Sequence, residues 1–268
     1  KVVLCRPEYM KIREIINETQ EQFAEENIHT MLAIKQHDAL VDELRSRGIE
    51  IVLLPPQKQM PEQVFTRDIG FTIGSVLCVA NMKRGIRQGE EDILKTWLDE
   101  QMIPYAPMIH HIEGGDVVVD GDIIWVGQSD RTSYEAASQL QKLFPDHRVE
   151  AVDFDSSYLH LDCVFNPVSP NEALIYPPAV KRKDLNKLKR TYDLIEVSEK
   201  EQFTLGTNVL SIGNRTILCL PMNTEVNRKL AARGYTIVEV DISEIIKSGG
   251  SFRCITMPLI REVSLQGR

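Results

Sequence analysis

Ser248-Gly249-Gly250-Ser251-Phe252-Arg253-Cys254-Ile255-Thr256-Met257 is the stretch against which the rest of the chain can be aligned. A glycine pair opens a tight backbone path, and Cys254 follows where an apolar strand is expected to begin. Toward the N-terminus, a polar residue heads an apolar hairpin pattern at Asn208, Asp162, Asp116 and Asp68. The spacings, read off the numbering, are 46, 46, 46 and 48 residues. A period in this range is the mark of a repeated architecture. The pattern predicts one strand pair repeated around a closed ring, with the head of each copy turned toward a shared centre.

Each copy has its own local signals. After Asp68 come Ile69 to Ala80, interrupted by the Gly74-Ser75 turn, and a helix pattern over 90–101. After Asp116 come Val117 to Val119, the turn at Asp120-Gly121, Ile123 to Val126, and a helix over 133–144. An Asp-Gly between two apolar runs is a strong hairpin signal. The third copy runs through Cys163 to Phe165, Ser169 to Glu172 and Ala173 to Tyr176 into a basic helix over about 180–192. The fourth runs through Val209 to Ile212, Gly213-Asn214 and Thr216 to Leu220 into a helix over 224–233. The fifth is predicted to be split, with Cys254 to Leu259 pairing with Val2 to Cys5 and so leaving no free sheet edge. Helical spacing is read over Ile15 to Arg47, a strand over Ile49 to Leu54, and a proline-containing surface loop over Pro55 to Phe65. Hairpins alternating with helices predict an α/β domain with mixed sheets over residues 1–268, with no linker dividing it.

Composition narrows the function. The chain is 43% hydrophobic and 26% charged, with a formal net charge of −8. That balance argues against a nucleic-acid partner and against an anionic membrane surface. No apolar run approaches the roughly 20 residues of a membrane span. The cysteines at 5, 78, 163, 219 and 254 form no CxxC pair, so free thiols in a reducing, cytoplasmic compartment are expected. No GxGxxG or GxxxxGK[ST] fingerprint calls for a nucleotide cofactor, and no cofactor is expected. Oligomeric state is open, a homo-oligomer included.

Cys254 stands out among the cysteines because it follows Gly249-Gly250 and shares its repeat position with acidic residues. Cys5, Cys78 and Cys219 read as small buried hydrophobes, and Cys163 as core. His160, two positions before Asp162, is the candidate acid/base, and strand alternation would put both on one face. Glu113 could orient that histidine. His110, His111, Glu113 and Asp116 together suggest a metal site only weakly, because their spacing matches no standard ligand pattern. Asp68 and Asp162 beside a thiol would oppose its ionisation unless a cation neutralised them. A planar guanidinium, gripped by paired charge-assisted hydrogen bonds, is such a cation. Arg87 and Arg131 could then hold a carboxylate at its other end.

These segments resemble the guanidine-modifying enzyme (pentein) superfamily, which includes arginine deiminase, dimethylarginine dimethylaminohydrolase and the amidinotransferases. The resemblance rests on Phe65-Thr66-Arg67-Asp68, Glu113-Gly114-Gly115-Asp116, Arg131 within Gly127 to Thr132, His160-Leu161-Asp162, and Gly249 to Leu259. It implies a five-bladed pseudosymmetric α/β propeller, in accord with the period. It further implies Cys254 as nucleophile, His160 as general acid/base and Glu113 as its partner. Asp68 and Asp162 would hold the guanidinium, Arg87 and Arg131 a substrate carboxylate, Asp116 belongs to the same motif among the substrate-binding residues, and Glu62 and Phe65 would lie in a substrate-covering loop. The implied activity is metal-independent hydrolysis of arginine or an N-methylated arginine to citrulline, with a small cationic guanidine as the partner molecule. The chain has the length of a dimethylarginine hydrolase, whereas His160-Leu161-Asp162 and Arg253 to Leu259 look more like arginine deiminase. Amidino transfer to an amine is the alternative within enzymes, and a non-catalytic propeller that binds a ribosomal subunit is the alternative outside them.

Overall fold

A computed structural model describes residues 1–260 of the chain. Strand β1 (Val2–Cys5) is followed by helices α1 (Glu18–Phe23) and α2 (Thr30–Ser46) and strand β2 (Ile51–Leu54). The first complete unit is β3 (Gly70–Ile73), β4 (Val76–Val79), α3 (Glu90–Glu100) and β5 (Tyr105–Pro107). The second is β6 (Val117–Asp120), β7 (Ile123–Gln128), α4 (Tyr134–Leu143) and β8 (Arg148–Asp153). The third is β9 (Phe165–Pro167), β10 (Glu172–Ile175), α5 (Arg182–Thr191) and β11 (Asp193–Glu196). After α6 (Glu199–Phe203), the fourth is β12 (Leu210–Ser211), β13 (Thr216–Cys219), α7 (Thr224–Ala232) and β14 (Thr236–Glu239). Strand β15 (Met257–Pro258) follows.

Every unit repeats one topology. An antiparallel hairpin is followed by a helix that carries the chain back to a third strand, parallel to the second. The parallel pairing requires such a crossover, because a tight turn can join only antiparallel neighbours. The fifth unit is assembled from both ends of the chain: β1 pairs antiparallel with β15 and parallel with β2. The result is five three-stranded sheets, the blades of an α/β propeller.

The helices seat on their sheets through a recurring leucine. Leu44 of α2, Leu94 of α3, Leu140 of α4, Leu188 of α5 and Leu230 of α7 are all fully buried. Each contributes roughly 1.5–3 kcal/mol through the apolar area removed from water. Even α5, which is charged on most of its surface, keeps Leu188 on its inner face.

Loops, rather than shared strands, join blade to blade. Gly114 N donates to Asp68 O at 2.9 Å, and Leu161 N to Asp116 Oδ1 at 2.9 Å. Asn208 Nδ2 donates to Asp162 O at 3.0 Å, and Arg253 N to Asn208 Oδ1 at 3.0 Å. Thr72 Oγ1 donates to Pro258 O at 2.7 Å, linking the fifth blade to the first. The interval of 46–48 residues seen in the sequence is therefore the length of one blade.

Two local expectations change. The helical spacing over 15–47 is broken into α1 and α2, because Asn27 adopts a left-handed φ of 58° and its side chain bonds both N and O of Ile12. The stretch from Cys254 is a turn rather than a strand, and pairing starts only at Met257. Among the described residues, no helix is long and apolar enough to cross a membrane.

Candidate active site

The blade heads define the centre. Asp68 ends a buried turn before β3. The chain from Glu113 enters a 3-10 turn at Gly114–Asp116, and the chain from His160 enters another at Leu161–Cys163. His160 and Asp162 are thus not on one strand face. His160 is extended, and the turn that follows swings Asp162 into the same centre.

His160 Nε2 lies 2.8 Å from Glu113 Oε2, and both side chains are fully buried. Its other nitrogen, Nδ1, is 3.6 Å from Asp68 Oδ1 and has no hydrogen-bond partner among the described residues. Burial alone would lower the imidazole pKa, but the charge of Asp68, the Glu113 hydrogen bond and the charge of Asp116 push it up to about 10. Burial acts on Glu113 in the opposite sense to the His160 bond and to the nearby cations, which win and hold it below the usual carboxylate range. The pair is therefore imidazolium and carboxylate at neutral pH.

Cys254 Sγ is 3.9 Å from Asp162 Oδ1 and 3.6 Å from Asn208 Oδ1. Cys163 Sγ lies 3.8 Å from the same Asp162 oxygen. Hydrogen bonding with Cys163, burial, and the charges of Asp162 and Asp68 raise the Cys254 thiol well above its ordinary range. Asp162 is itself raised by burial, against the opposing pull of Arg253 and His160. Among the described residues, Asp68 Oδ1 and Asp162 Oδ2 are both buried acceptors without a hydrogen-bond partner, with His160 Nδ1 and Arg253 Nε each 3.6 Å away. Such groups are costly to leave unmet and point to donors supplied from outside.

Glycines let these groups approach. A Cβ on Gly115 would lie 2.6 Å from His160 Nδ1, and one on Gly250 would lie 2.3 Å from the Phe65 ring and 3.0 Å from Cys254 Cβ. Gly114-Gly115 is thus more than a turn: it leaves room for the histidine.

Several expected site residues have other partners. Asp116 is fully buried, and its oxygens accept from Ser129 Oγ at 2.5 Å, Thr132 Oγ1 at 2.7 Å and Leu161 N. Through these contacts Asp116 ties two blades together. Arg87 donates to Asp68 Oδ2 at 2.5 Å, to Glu90 at 2.8 Å and to the carbonyl of Phe65 at 3.3 Å. Its grip is on Asp68 and Glu90, and a substrate carboxylate would have to open those pairs.

Glu62 and Phe65, expected in a substrate-covering loop, lie in the 55–65 segment. Both are buried, and Glu62 accepts from Gln20 Nε2 at 2.8 Å and from Ser248 Oγ at 3.0 Å. Burial raises Glu62 to about 7. The segment around α1 packs against Glu62 and Ser248. Asn17 caps that helix through Gln20 N and donates to Ser248 O at 3.1 Å, while Ile16 O accepts from Arg131 Nη2 at 3.1 Å.

Beneath this segment is a cavity of about 200 Å³ whose lining includes Ile16, Asn17, Arg84, Asp130, Arg131 and Tyr158. Arg131 also reaches Glu113 Oε2 at 3.4 Å. Arg84 and the α1 segment were not singled out in the sequence, since neither sits at a repeat head. Among the described residues, two buried sets have ligand atoms mutually within 4.8 Å: Asp162, Cys163 and Cys254, and Asp68, Glu113 and His160. These are the groups already described, with the sulfur-rich set suited to a thiophilic ion and the other to nitrogen and oxygen ligation.

The profile of the family described as N,N dimethylarginine dimethylhydrolase, eukaryotic, matches residues 6–261. The chain belongs to this family. Another relative of this dimethylarginine dimethylhydrolase family member, the uncharacterized protein YkgA of Bacillus subtilis, is 54% identical over 97% of the chain and 92% of its own length. The N(G),N(G)-dimethylarginine dimethylaminohydrolase of Pseudomonas aeruginosa is 26% identical over 84% of the chain and 87% of its own length. The bifunctional arginine dihydrolase/ornithine cyclodeaminase ArgZ of Synechocystis is 26% identical over 96% of the chain, which spans only 37% of that protein. In structure, the N-terminal domain of ArgZ bound to substrate superposes with a TM-score of 0.90 at 24% identity, covering 98% of each chain. A dimethylarginine dimethylaminohydrolase adduct superposes with a TM-score of 0.79 at 21% identity, covering 96% of this chain and 98% of that one. These superpositions establish the pentein fold.

Proposed function

We propose that this chain is a cysteine-dependent hydrolase of a guanidino substrate, with arginine or an N-methylated arginine converted to citrulline. The observation that carries the reading is the convergence of the Cys254 thiol, two unmet carboxylate acceptors and the His160–Glu113 pair on one buried centre. The family relationship supports the same class of chemistry.

The electrostatics explain why the site is selective for a cation. Without one, the Cys163 hydrogen bond, burial and the charges of Asp162 and Asp68 together favour the protonated thiol. A guanidinium between them donates N–H groups to the unmet oxygens, offsets their charge and favours loss of the thiol proton to solvent. The thiolate then attacks the guanidinium carbon, forming the C–S bond. His160, charged at neutral pH, gives its proton to the departing nitrogen as the C–N bond breaks. The product of this half-reaction is an amidino-thioether and a neutral imidazole. His160 now removes a proton from water, whose oxygen adds to the same carbon. Collapse ejects the Cys254 thiolate, sends the hydroxyl proton to solvent and leaves a ureido group.

Two acceptors also bear on the substrate. Each meets its need only from an N–H, so a methyl on the wrong nitrogen would leave a buried oxygen unpaired. Arginine is therefore the preferred substrate over its dimethylated forms. Its amino-acid end would enter the cavity beneath α1, where Arg131 and Arg84 can face a carboxylate and Asp130 an ammonium. The test is ureido-product formation from arginine and from N-methylated arginines, with Cys254→Ser in parallel. Turnover of arginine that Cys254→Ser abolishes is expected; undiminished turnover in Cys254→Ser would overturn the reading.

A further inference from the structure

Asn208 is fully buried at the head of the fourth blade, where the first three blades carry Asp68, Asp116 and Asp162. The five heads divide into two kinds. Asp116 accepts from the backbone N–H of Leu161, the residue just before the next head, and Asn208 accepts in the same way from Arg253. These two side chains are ties, whereas Asp68, Asp162 and Cys254 face the centre.

The tie made by Asn208 has features that the Asp116 tie lacks. Its Oδ1 lies 3.0 Å from Arg253 N, 3.4 Å from Cys254 N and 3.6 Å from Cys254 Sγ. Its Nδ2 donates to Asp162 O at 3.0 Å. One amide therefore holds the backbone of the cysteine turn, touches its sulfur and fixes the turn that carries Asp162. Around it, Arg253 Nη1 donates to Asn166 Oδ1 at 3.0 Å, and Asn166 Nδ2 donates to Thr207 O at 2.8 Å, one residue before Asn208. The backbone on the Asn208 side is anchored as well, through Asn208 N to Leu205 O at 2.9 Å, with Leu205 in the left-handed region at φ 56°. A bulky residue held there signals a turn fixed by its surroundings.

The structure assigns Asn208 as the positioning residue that sets the Cys254 sulfur against the Asp162 carboxylate. This rests on Cys254 being the nucleophile, as proposed above. An amide is the side chain that the position needs. Aspartate could keep the acceptor contacts, but it would lose the donor to Asp162 O and add another carboxylate beside the thiol. That thiol is already faced by Asp162 and Cys163 from the third blade and by Asp68 from the first, while Arg253 on its own turn lies 3.6 Å from Asp162 Oδ2. Alanine would lose both halves of the tie. A displacement on the order of 1 Å at a nucleophile costs about 100-fold in rate, and groups that hold reacting atoms do so through such supporting contacts.

The experiment compares wild type, Asn208→Ala, Asn208→Asp and Cys254→Ser, each with a thermal melt. It measures kcat and KM for arginine, and the pH midpoint of Cys254 alkylation by iodoacetamide followed by peptide mass. For Asn208→Ala, kcat is expected to fall by about 100-fold with a much smaller change in KM. For Asn208→Asp, the alkylation midpoint is expected to move up by about one pH unit, from the added negative charge. Should Asn208→Asp fail to fold, Asn208→Ser, which lacks the amide donor, is expected to show the kcat loss instead. Unchanged kcat in folded Asn208→Ala, or an unshifted midpoint in folded Asn208→Asp, would overturn the assignment. Turnover retained in Cys254→Ser would instead remove the catalytic reading itself, so the two failures are distinguishable.

Discussion

Glu113 Oε2 sits 2.8 Å from His160 Nε2, and neither side chain has access to solvent. In that isolation the carboxylate both orients the ring and holds its proton. Removing the charge while keeping the shape separates the two roles. Glu113→Gln is expected to lower turnover by about 10²–10⁴-fold, the usual contribution of a placed acid/base. It should also lower the His160 pKa from about 10, because Glu113 is one of the groups that raise it. Imidazolium is the form that protonates the leaving nitrogen, so the alkaline loss of activity should begin at lower pH in the variant. A pH–rate profile of both proteins checks this; an alkaline limb that stays in place would contradict the assignment of His160 as the acid.

Asp162 has opposite effects on the free and the loaded site. Its charge raises the pKa of the Cys254 thiol when no cation is present, and its free oxygen is an acceptor for a guanidinium. Asp162→Asn should therefore make Cys254 react faster with iodoacetamide at neutral pH while turnover of arginine falls by tenfold or more, the scale of one lost charge-assisted contact. Parallel loss of both would show that the substitution merely disturbs the fold of the turn.

The blade period was legible because each copy has a hairpin turn, an apolar pair of strands and a helix in register with the last. The blade heads were legible for the same reason. Their division of labour was not. Nothing in the residue type of Asp116 says that Ser129, Thr132 and Leu161 N take up its oxygens, since those partners come from β7 onward and from the neighbouring blade. Arg87 likewise looked free until Glu90 and Asp68 closed around it. Strand alternation placed His160 and Asp162 together for the wrong reason, because the chain turns at Leu161. Asn17 and Ile16 make contacts to Ser248 and Arg131 that span more than 100 residues, so no local pattern announces them.

His37 shows a stability effect away from the site. It is fully buried in α2, and neither ring nitrogen has a hydrogen-bond partner among the described residues. Burial lowers its pKa from the ordinary 6.5 to about 4. The folded state therefore favours the neutral ring, so this stabilisation is complete above about pH 6.5 and is lost as pH falls through about 4. The shift corresponds to roughly 3 kcal/mol. His37→Leu is expected to melt near the wild-type temperature at pH 7 and above it at pH 4.5. Equal acid destabilisation of the two proteins would assign the effect to other groups.

The central claim is that Cys254 carries the amidino group between two half-reactions. Its most direct test is acid quenching during turnover of arginine, followed by intact mass and peptide mapping. The account predicts an amidino adduct on the peptide containing Cys254, transient during turnover and absent from Cys254→Ser, which forms no ureido product. Product formation with no adduct on Cys254, and with Cys254→Ser still active, would contradict it.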